Sequence, residues 1–342
     1  MKKYPYNLQF VQNAAFGIEP VTVSNIPDHY YLALGITNSC NFDCPFCYYH
    51  GDGLPVALEE LSIEKTQQIF KMLPMLAGVI FGLEGEPLLH SKFLELMKLA
   101  DDNANGITLI TNGSLLTEKL CDRMKAYAID KIILSIDGTD TDTYARFRKN
   151  GNFSKFKRNA SMVAKRFPCQ LHATIFRENL SSILNLPALA HELGIMRISL
   201  QQVRLRSGSR INDISSASTD ELYDWLAIIL ENARKLGIAV ELDRNFGGSD
   251  FTSALREMQS PDIRMSLTPI KSGHCDHADR LACILSDGSL FPCAGDFGPV
   301  SMREYSFDAI FNHPYLQALR ALHKAGKMIE PCRICMNDLF VD

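Results

Sequence analysis

Three cysteines crowd one short segment, Cys40-Asn41-Phe42-Asp43-Cys44-Pro45-Phe46-Cys47, at x3 and x2 spacing. Thiolates are soft ligands, and three of them on one loop suit an iron-sulfur cluster or zinc. A structural zinc site wants four closed ligands, and His50 supplies the fourth at Cys-x2-His spacing. A four-iron cube held by only three thiolates leaves one iron open, the position that chemistry needs. Further along lie Cys275, Cys283, Cys293, Cys332 and Cys335, the last two again at x2 spacing. Spacing alone lets four of these form a closed cluster or a four-cysteine zinc site. Cys121 and Cys169 fall in a helical pattern and at a strand start, where a small buried hydrophobe is expected.

Charge supplies a second signal. Arg146, Arg148, Lys149, Lys155, Lys157, Arg158, Lys165, Arg166 and Arg177 follow one another with no Asp or Glu between Thr143 and Arg177, inside a chain of net charge -4. Most of them read as the solvated face of helices. Arg177, Arg204 and Arg206 fall at strand ends, where an arginine can grip a carboxylate or phosphate bidentately as the guanidinium or, as the neutral guanidine, act as a proton acceptor in the reaction. These three are the candidate catalytic or substrate-contacting residues. Their combined charge points to an anionic substrate.

The elements that must position these groups form a β/α alternation. Strands are expected at Tyr31–Thr37, Val79–Leu83, Ile107–Thr111, Lys131–Ile136, Gln170–Ile175 and Met196–Gln202, each mostly apolar on both faces as in a helix-covered parallel sheet. Ser62 and Thr117 cap helices, Asn185 with Pro187 opens one that stops at Gly194, and Ser218 with Glu221 has capping-box spacing. The alternation ends near Gly237, and Gly, Pro, Asp and Cys dominate beyond Asn245. Three segments result: an irregular approach over 1–30, the β/α unit over 31–245 and a small ligand-stapled unit over 246–342.

The Cys-x3-Cys-x-aromatic-Cys segment after the first strand, with Phe46 in the aromatic place, resembles the signature of radical SAM enzymes. The resemblance implies a partial (β/α)6 TIM-like barrel whose first cluster is held by Cys40, Cys44 and Cys47. The open iron then binds S-adenosylmethionine (SAM), whose reductive cleavage yields a 5′-deoxyadenosyl radical that abstracts hydrogen. Gly85-Glu86-Pro87 after the second strand is similar to the family's Gly-Gly-Glu-Pro segment, whose backbone receives the SAM amino group. Glu84 replaces the first glycine, and its carboxylate is a candidate partner for the ammonium. Asn112 after the third strand, and Ser135 and Asp137 after the fourth, resemble the polar contacts to methionine and ribose. Cofactor-binding candidates are therefore Phe46, Glu84, Gly85, Glu86, Pro87, Asn112, Ser135 and Asp137. Active sites of parallel β/α barrels gather at the carboxyl ends of the strands, where all these residues fall.

Cys275-x12-Gly288-x4-Cys293, followed by Cys332-x2-Cys335, resembles the SPASM/Twitch extension of the same family. That implies a second [4Fe-4S] cluster on Cys275, Cys293, Cys332 and Cys335, with Cys283 left over as a buried thiol, an alternative ligand or a hydrogen donor. The resemblance also implies an external electron donor such as flavodoxin or ferredoxin. The substrate reading is a small polar, anionic sugar- or nucleoside-like molecule undergoing dehydrogenation, epimerisation or decarboxylation. The alternative is a ribosomal peptide that is epimerised or crosslinked, although the thirty residues ahead of the first strand are short for a peptide-recognition domain. A non-catalytic zinc or redox-sensing protein leaves the Gly-Glu-Pro and Ser-x-Asp-Gly placements unexplained.

Composition bounds the rest. With 46% hydrophobic and 22% charged residues the chain is globular, and 342 residues make about two domains. Leu73–Leu83, broken by Pro74 and Gly78, is too short to span a bilayer, which takes about 20 helical residues. No apolar leader follows Lys2 and Lys3, so a cytoplasmic protein with reduced thiols is expected. The negative net charge argues against nucleic acid as a partner.

Overall fold

The computed structural model describes residues 7–22, 30–47, 57–73, 76–203, 218–242, 263–265, 276–292 and 298–327, with Ile329 and Cys332. They fall into two compact units that do not follow chain order. The first draws on Met1–Ser39, Leu58–Leu109 and Thr268–Cys335, and the second on Cys40–Ala57, Ile110–Leu267 and Met336–Asp342. Arg204, Arg206, His50, Cys275, Cys293 and Cys335 lie outside the described residues.

In the first unit β1 (Tyr31–Leu34) pairs in parallel with β2 (Gly78–Phe81), and β2 pairs with β3 (Ile107–Thr111). On its other side β1 pairs in parallel with a strand that the sequence reading missed, β9 (Leu281–Ile284), in the register Ala33↔Cys283. The chain segment expected to be a small separate tail thus adds a strand beside the first. β1 is shorter than expected because residues 35–37 change partners: Gly35 N–H donates to Ile284 O, Leu61 N–H donates to Ile36 O, and Thr37 bridges Glu60 in the antiparallel sense. The approach segment is also not wholly irregular. Helix Leu8–Ala14 is capped by Asn7 and buries Val11, with Ala15 beyond it, against Tyr315, Leu316 and Leu319 of helix Pro314–Lys324.

In the second unit β4 (Ile129–Ser135), β5 (Cys169–Ile175), β6 (Arg197–Gln202), β7 (Ala239–Leu242) and β8 (Ile263–Met265) run parallel, each paired with the next. Helices Phe153–Ala164, Leu186–Leu193 and Thr219–Lys235 intervene, the last opened by the expected Ser218–Glu221 capping box and Leu186–Leu193 closed by Gly194 at φ +74°. Since paired residues of a parallel sheet share a face, two rows can be read off the register. Leu134, Leu171, Ile198 and Val240 form one row, all buried. Ser135, His172, Ser199 and Glu241 form the other.

That second row corrects the expectation of strands apolar on both faces. His172, Ser199 and Glu241 are half-buried, and they are joined to the sheet by side-chain hydrogen bonds: His172 Nδ1 with Ser199 Oγ at 2.9 Å, and Gln170 Nε2 to Glu241 Oε2 at 2.9 Å. One face packs on helices and the other is polar, the division expected when one side of a sheet binds a ligand rather than a layer of helices.

Candidate active site

The three-cysteine loop is fastened on both flanks by residues of the second unit. Asn41 Nδ2 donates to Ser114 Oγ at 2.8 Å, Asn112 Nδ2 donates to Asn41 Oδ1 at 2.9 Å, and Ser114 N–H returns to Asn112 Oδ1. Asn112, a cofactor-binding candidate, therefore anchors the loop that carries the thiols. On the other flank Asp43 N–H donates to Lys149 O at 3.1 Å, and its carboxylate pairs with Lys149 Nζ at 2.8 Å. A turn from Cys47 N–H to Cys44 O brings the second and third thiols round. Cys44 is 7% exposed while Cys40 and Cys47 are half-buried.

Behind the loop, Phe46 packs on Phe176 with ring centroids 5.5 Å apart, and the Arg148 guanidinium lies 5.8 Å from the Phe46 ring. Arg148 Nη1 is 4.0 Å from Cys44 Sγ, and its Nε pairs with Asp137 Oδ2. Asp137 is fully buried, its other oxygen taking the Thr174 N–H at 2.8 Å. Both Asp137 oxygens are thus spent on the protein, so the residue holds Arg148 and the end of β5 in place. Burial raises the Asp137 carboxyl and Arg148 opposes it; burial also works to lower Arg148, but Asp137 overrides it and holds the guanidinium charged. Burial pushes the Cys44 thiol up to about 12, with Arg148 pulling back. Without a metal that thiol stays protonated, and a bound metal would displace the proton.

Arg148 stood in the basic run only as one more solvated cation. The signal that marks it is periodicity: helix Thr141–Phe147 buries Tyr144 and Phe147, and Arg148 falls four residues after Tyr144 on the same face. Arg177 moves the opposite way. It is half exposed and gripped bidentately by Glu221, Nε to Oε1 at 3.0 Å and Nη2 to Oε2 at 2.8 Å, while Glu221 also takes the Ser218 N–H. The expectation of three uncompensated guanidinium groups is therefore corrected, because Glu221 neutralises one of them. Hydrogen bonds from Arg177 and Ser218 hold the Glu221 carboxyl down to about 2.

In the first unit, Gly85 sits at φ +60°, and a Cβ there would fall 2.2 Å from Thr37 O and 2.6 Å from Ser39 O. Glu86 N–H donates to Ser39 O at 2.7 Å, so the Gly-Glu backbone lies directly against the residues that precede Cys40 in sequence. Only glycine permits that approach. The Glu86 side chain is buried and caps the turn Pro87–Leu89 through Leu88 N–H. Glu84 departs from its expected role as an ammonium partner: its Oε1 accepts the Ser286 N–H at 2.6 Å, and its side chain lies over Gly35. The glycine absent at 84 has a counterpart at 35, where a Cβ would fall 2.5 Å from Glu84 Cγ.

Ser286 begins the turn after β9, where Gly288 takes φ +85° and Tyr305 Oη donates to its carbonyl at 2.8 Å. Cys283 lies within β9, 4% exposed, its thiol pushed up to about 12 by burial, as befits a packed structural residue. Of the four thiols expected to hold the second cluster only Cys332 is described; it is buried, with His323 Nε2 at 3.4 Å from its Sγ. Ser135 is buried at the end of β4 opposite His172. Among the described residues, no three His, Cys, Asp or Glu side chains meet at the distance of one shared ion. A cube of iron and sulfur spreads its thiolates more widely than a single ion does, so three thiols of one anchored loop, one buried under a guanidinium, fit such a cluster.

Residues 34–189 match the family model of the radical SAM superfamily, and residues 275–336 match SPASM, an iron-sulfur cluster-binding domain. The chain carries a radical SAM domain. It carries the SPASM domain at the carboxyl end, over the span where the second cysteine group lies. Relatives of this radical SAM enzyme include the AdoMet-dependent heme synthase of Methanosarcina barkeri, 23% identical over 92% of this chain and 90% of that protein. The PqqA peptide cyclase of Granulibacter bethesdensis is 25% identical over 89% of this chain and 79% of that one. Among solved structures, Streptococcus suis SuiB bound to S-adenosylmethionine shares the fold at a TM-score of 0.60 and 14% identity, covering 78% of this chain; this chain spans 60% of SuiB. The α/β architecture is accordingly that of a radical SAM enzyme. Among the described residues no helix is long and apolar enough to cross a membrane.

Proposed function

We propose that the chain reductively cleaves S-adenosylmethionine on a four-iron cluster held by Cys40, Cys44 and Cys47 and directs the resulting radical at a carbon–hydrogen bond of a polar substrate. The observation that carries this reading is the loop itself: three thiols anchored through Asn41, Asn112 and Ser114, with Cys44 buried beside the Arg148–Asp137 pair. When bound, the cluster and SAM supply the electron transfer and the radical. The protein supplies the rest. Gly85 and Glu86 offer backbone groups at a position no side chain could occupy, Phe46 covers the loop on the apolar side, and Asn112 fixes its register. Ser135 ends β4, and Asp137 follows it by two residues. The polar row Ser135, His172, Ser199 and Glu241 offers donors and acceptors to a substrate, and Arg204 and Arg206 remain candidates to bind an anionic group.

A short peptide is a substrate class supported by one relative, a peptide cyclase that aligns over most of both chains. The anionic sugar or nucleoside is the weaker reading now that Arg177 is neutralised by Glu221. Cys275, Cys293, Cys332 and Cys335 are proposed to hold a second cluster, with the boundaries 1–30, 31–245 and 246–342 and a reduced, cytoplasmic setting. Anaerobic reconstitution should then give about eight iron atoms per chain. Replacing Cys40, Cys44 and Cys47 together by Ala should halve the iron and end 5′-deoxyadenosine formation. A triple variant that still makes 5′-deoxyadenosine would overturn the assignment of the loop.

A further inference from the structure

Apart from Arg148 and Arg177, the basic run between Thr143 and Arg177 has no part in the chemistry above, and the structure sorts its charges. Arg148 is buried on Asp137, Lys149 pairs with Asp43, Lys157 with Glu192, Arg166 with Glu118, and Arg177 with Glu221. Lys155 and Arg158 have no carboxylate within ion-pair distance among the described residues. They stand three residues apart on the outer side of helix Phe153–Ala164, whose inner side buries Phe153, Phe156, Ala160 and Val163. Both line a cavity of about 400 Å³ together with Ser114, Thr117, Glu118 and Asn159. Glu118, its one acid, is drawn to Arg166 at 3.5 Å.

Ser114 joins this cavity to the cysteine loop. Its Oγ accepts from Asn41, the neighbour of Cys40, while Asn159 Nδ2 donates to Gly113 O at 2.8 Å and holds the cavity wall to the helix. Asn41 and Asp43 are the exposed residues of the loop, and the Asp43 carboxylate is already neutralised by Lys149. A concave surface with two cations unpaired among the described residues therefore lies beside the exposed back of the loop that carries Cys40 and Cys44, in a protein whose net charge is -4. The one acid of the lining, Glu118, is paired with Arg166, so the two cations keep an uncancelled positive charge there. A negatively charged redox protein gains attraction here that it gains from the molecule as a whole nowhere.

We propose that the Lys155–Arg158 cavity is the docking surface for an acidic one-electron donor protein of the flavodoxin kind, set against the outer side of the Cys40–Cys44 loop. The inference rests on the radical SAM reading and adds the place where the electron enters. One electron passes from the donor's reduced flavin to the cluster of Cys40, Cys44 and Cys47; the flavin is oxidised by one electron, the cluster is reduced by one, and no proton need cross.

The test uses the full chain and a purified flavodoxin of negative net charge. Calorimetric titration of flavodoxin into the wild-type protein should show affinity that falls as ionic strength rises. Lys155→Glu with Arg158→Glu should weaken binding by about tenfold or more, the scale on which electrostatic attraction acts. Lys165→Glu with Lys235→Glu, an equal charge change at exposed sites elsewhere, should leave it unchanged. In reconstituted enzyme, 5′-deoxyadenosine formation driven by flavodoxin should fall with the first pair of substitutions, while formation driven by dithionite stays at the wild-type rate. Wild-type affinity in the Lys155→Glu/Arg158→Glu protein, or an equal loss in the control, overturns the proposal. Absence of dithionite-driven cleavage in the wild type strikes instead at the radical SAM reading, which the binding titration does not require.

Discussion

Gly35→Ala is expected to destabilise the protein by about 1–3 kcal/mol, the usual consequence of overpacking a filled site. The added methyl carbon would fall 2.5 Å from Glu84 Cγ and 2.7 Å from its Oε1, and the side chain has little room to retreat because it is 7% exposed and bonded to Ser286 N–H at 2.6 Å. Glu84→Gly removes the obstruction and carries its own cost of about 1–3 kcal/mol, since the Ser286 N–H loses this buried acceptor. In the double variant the methyl group enters the vacated space, so the effect of Gly35→Ala should nearly vanish. The two substitutions should therefore couple by about 1–3 kcal/mol in the compensating direction. Chemical denaturation of the wild type, both single variants and the double variant, all metal-free, measures this. Hydrogen exchange at the Ser286 amide should be slow in the wild type and faster wherever Glu84 is absent. Additivity within about 0.5 kcal/mol, or equal exchange at Ser286 in all four proteins, would refute the packing argument.

Arg148→Met should lower stability by about 3–5 kcal/mol, because it strands the fully buried Asp137 carboxylate, and Asp137→Asn in the same protein should recover part of the loss; a melting temperature equal to wild type would sink this account. Cys283 has its thiol raised from 9.0 to about 12, so its contribution to stability is complete below pH 9 and is lost as pH rises through that window. The alkaline slope should reach at most about 1.4 kcal/mol per pH unit from this group. Cys283→Ala should flatten that slope relative to wild type in denaturation midpoints between pH 8 and pH 11 while leaving iron content unchanged; identical slopes would remove the thiol from the account.

Much of the chemistry was legible in the sequence because it depends on local spacing. Three thiols within eight residues must share one loop whatever the rest of the chain does, and Gly85-Glu86-Pro87 stood out by its resemblance to a known motif, while the close approach at Gly85 came only with the fold. Helix starts at Ser62, Thr117 and Ser218 followed from side chains that satisfy the first free N–H groups of their own helix, a contact spanning three residues. The β/α alternation was readable for the same reason, since apolar runs and caps are local.

What tertiary structure decided is everything that needs two distant segments at once. Arg148 and Arg177 are the same residue type in one basic run, yet one is buried on Asp137 and the other sits at the surface on Glu221. Pattern within the run could not name either partner. Glu84 looked like a ligand-facing carboxylate beside a glycine motif, and only the arrival of β9 next to β1 put the Ser286 N–H within its reach. The short strands β7, β8 and β9 were missed because, at three or four residues, they stand outside the β/α alternation that marked the equally short β1 and β2. The polar row Ser135, His172, Ser199 and Glu241 became visible only through register, since residues from four strands share a face by hydrogen-bonded alignment and not by any spacing along the chain.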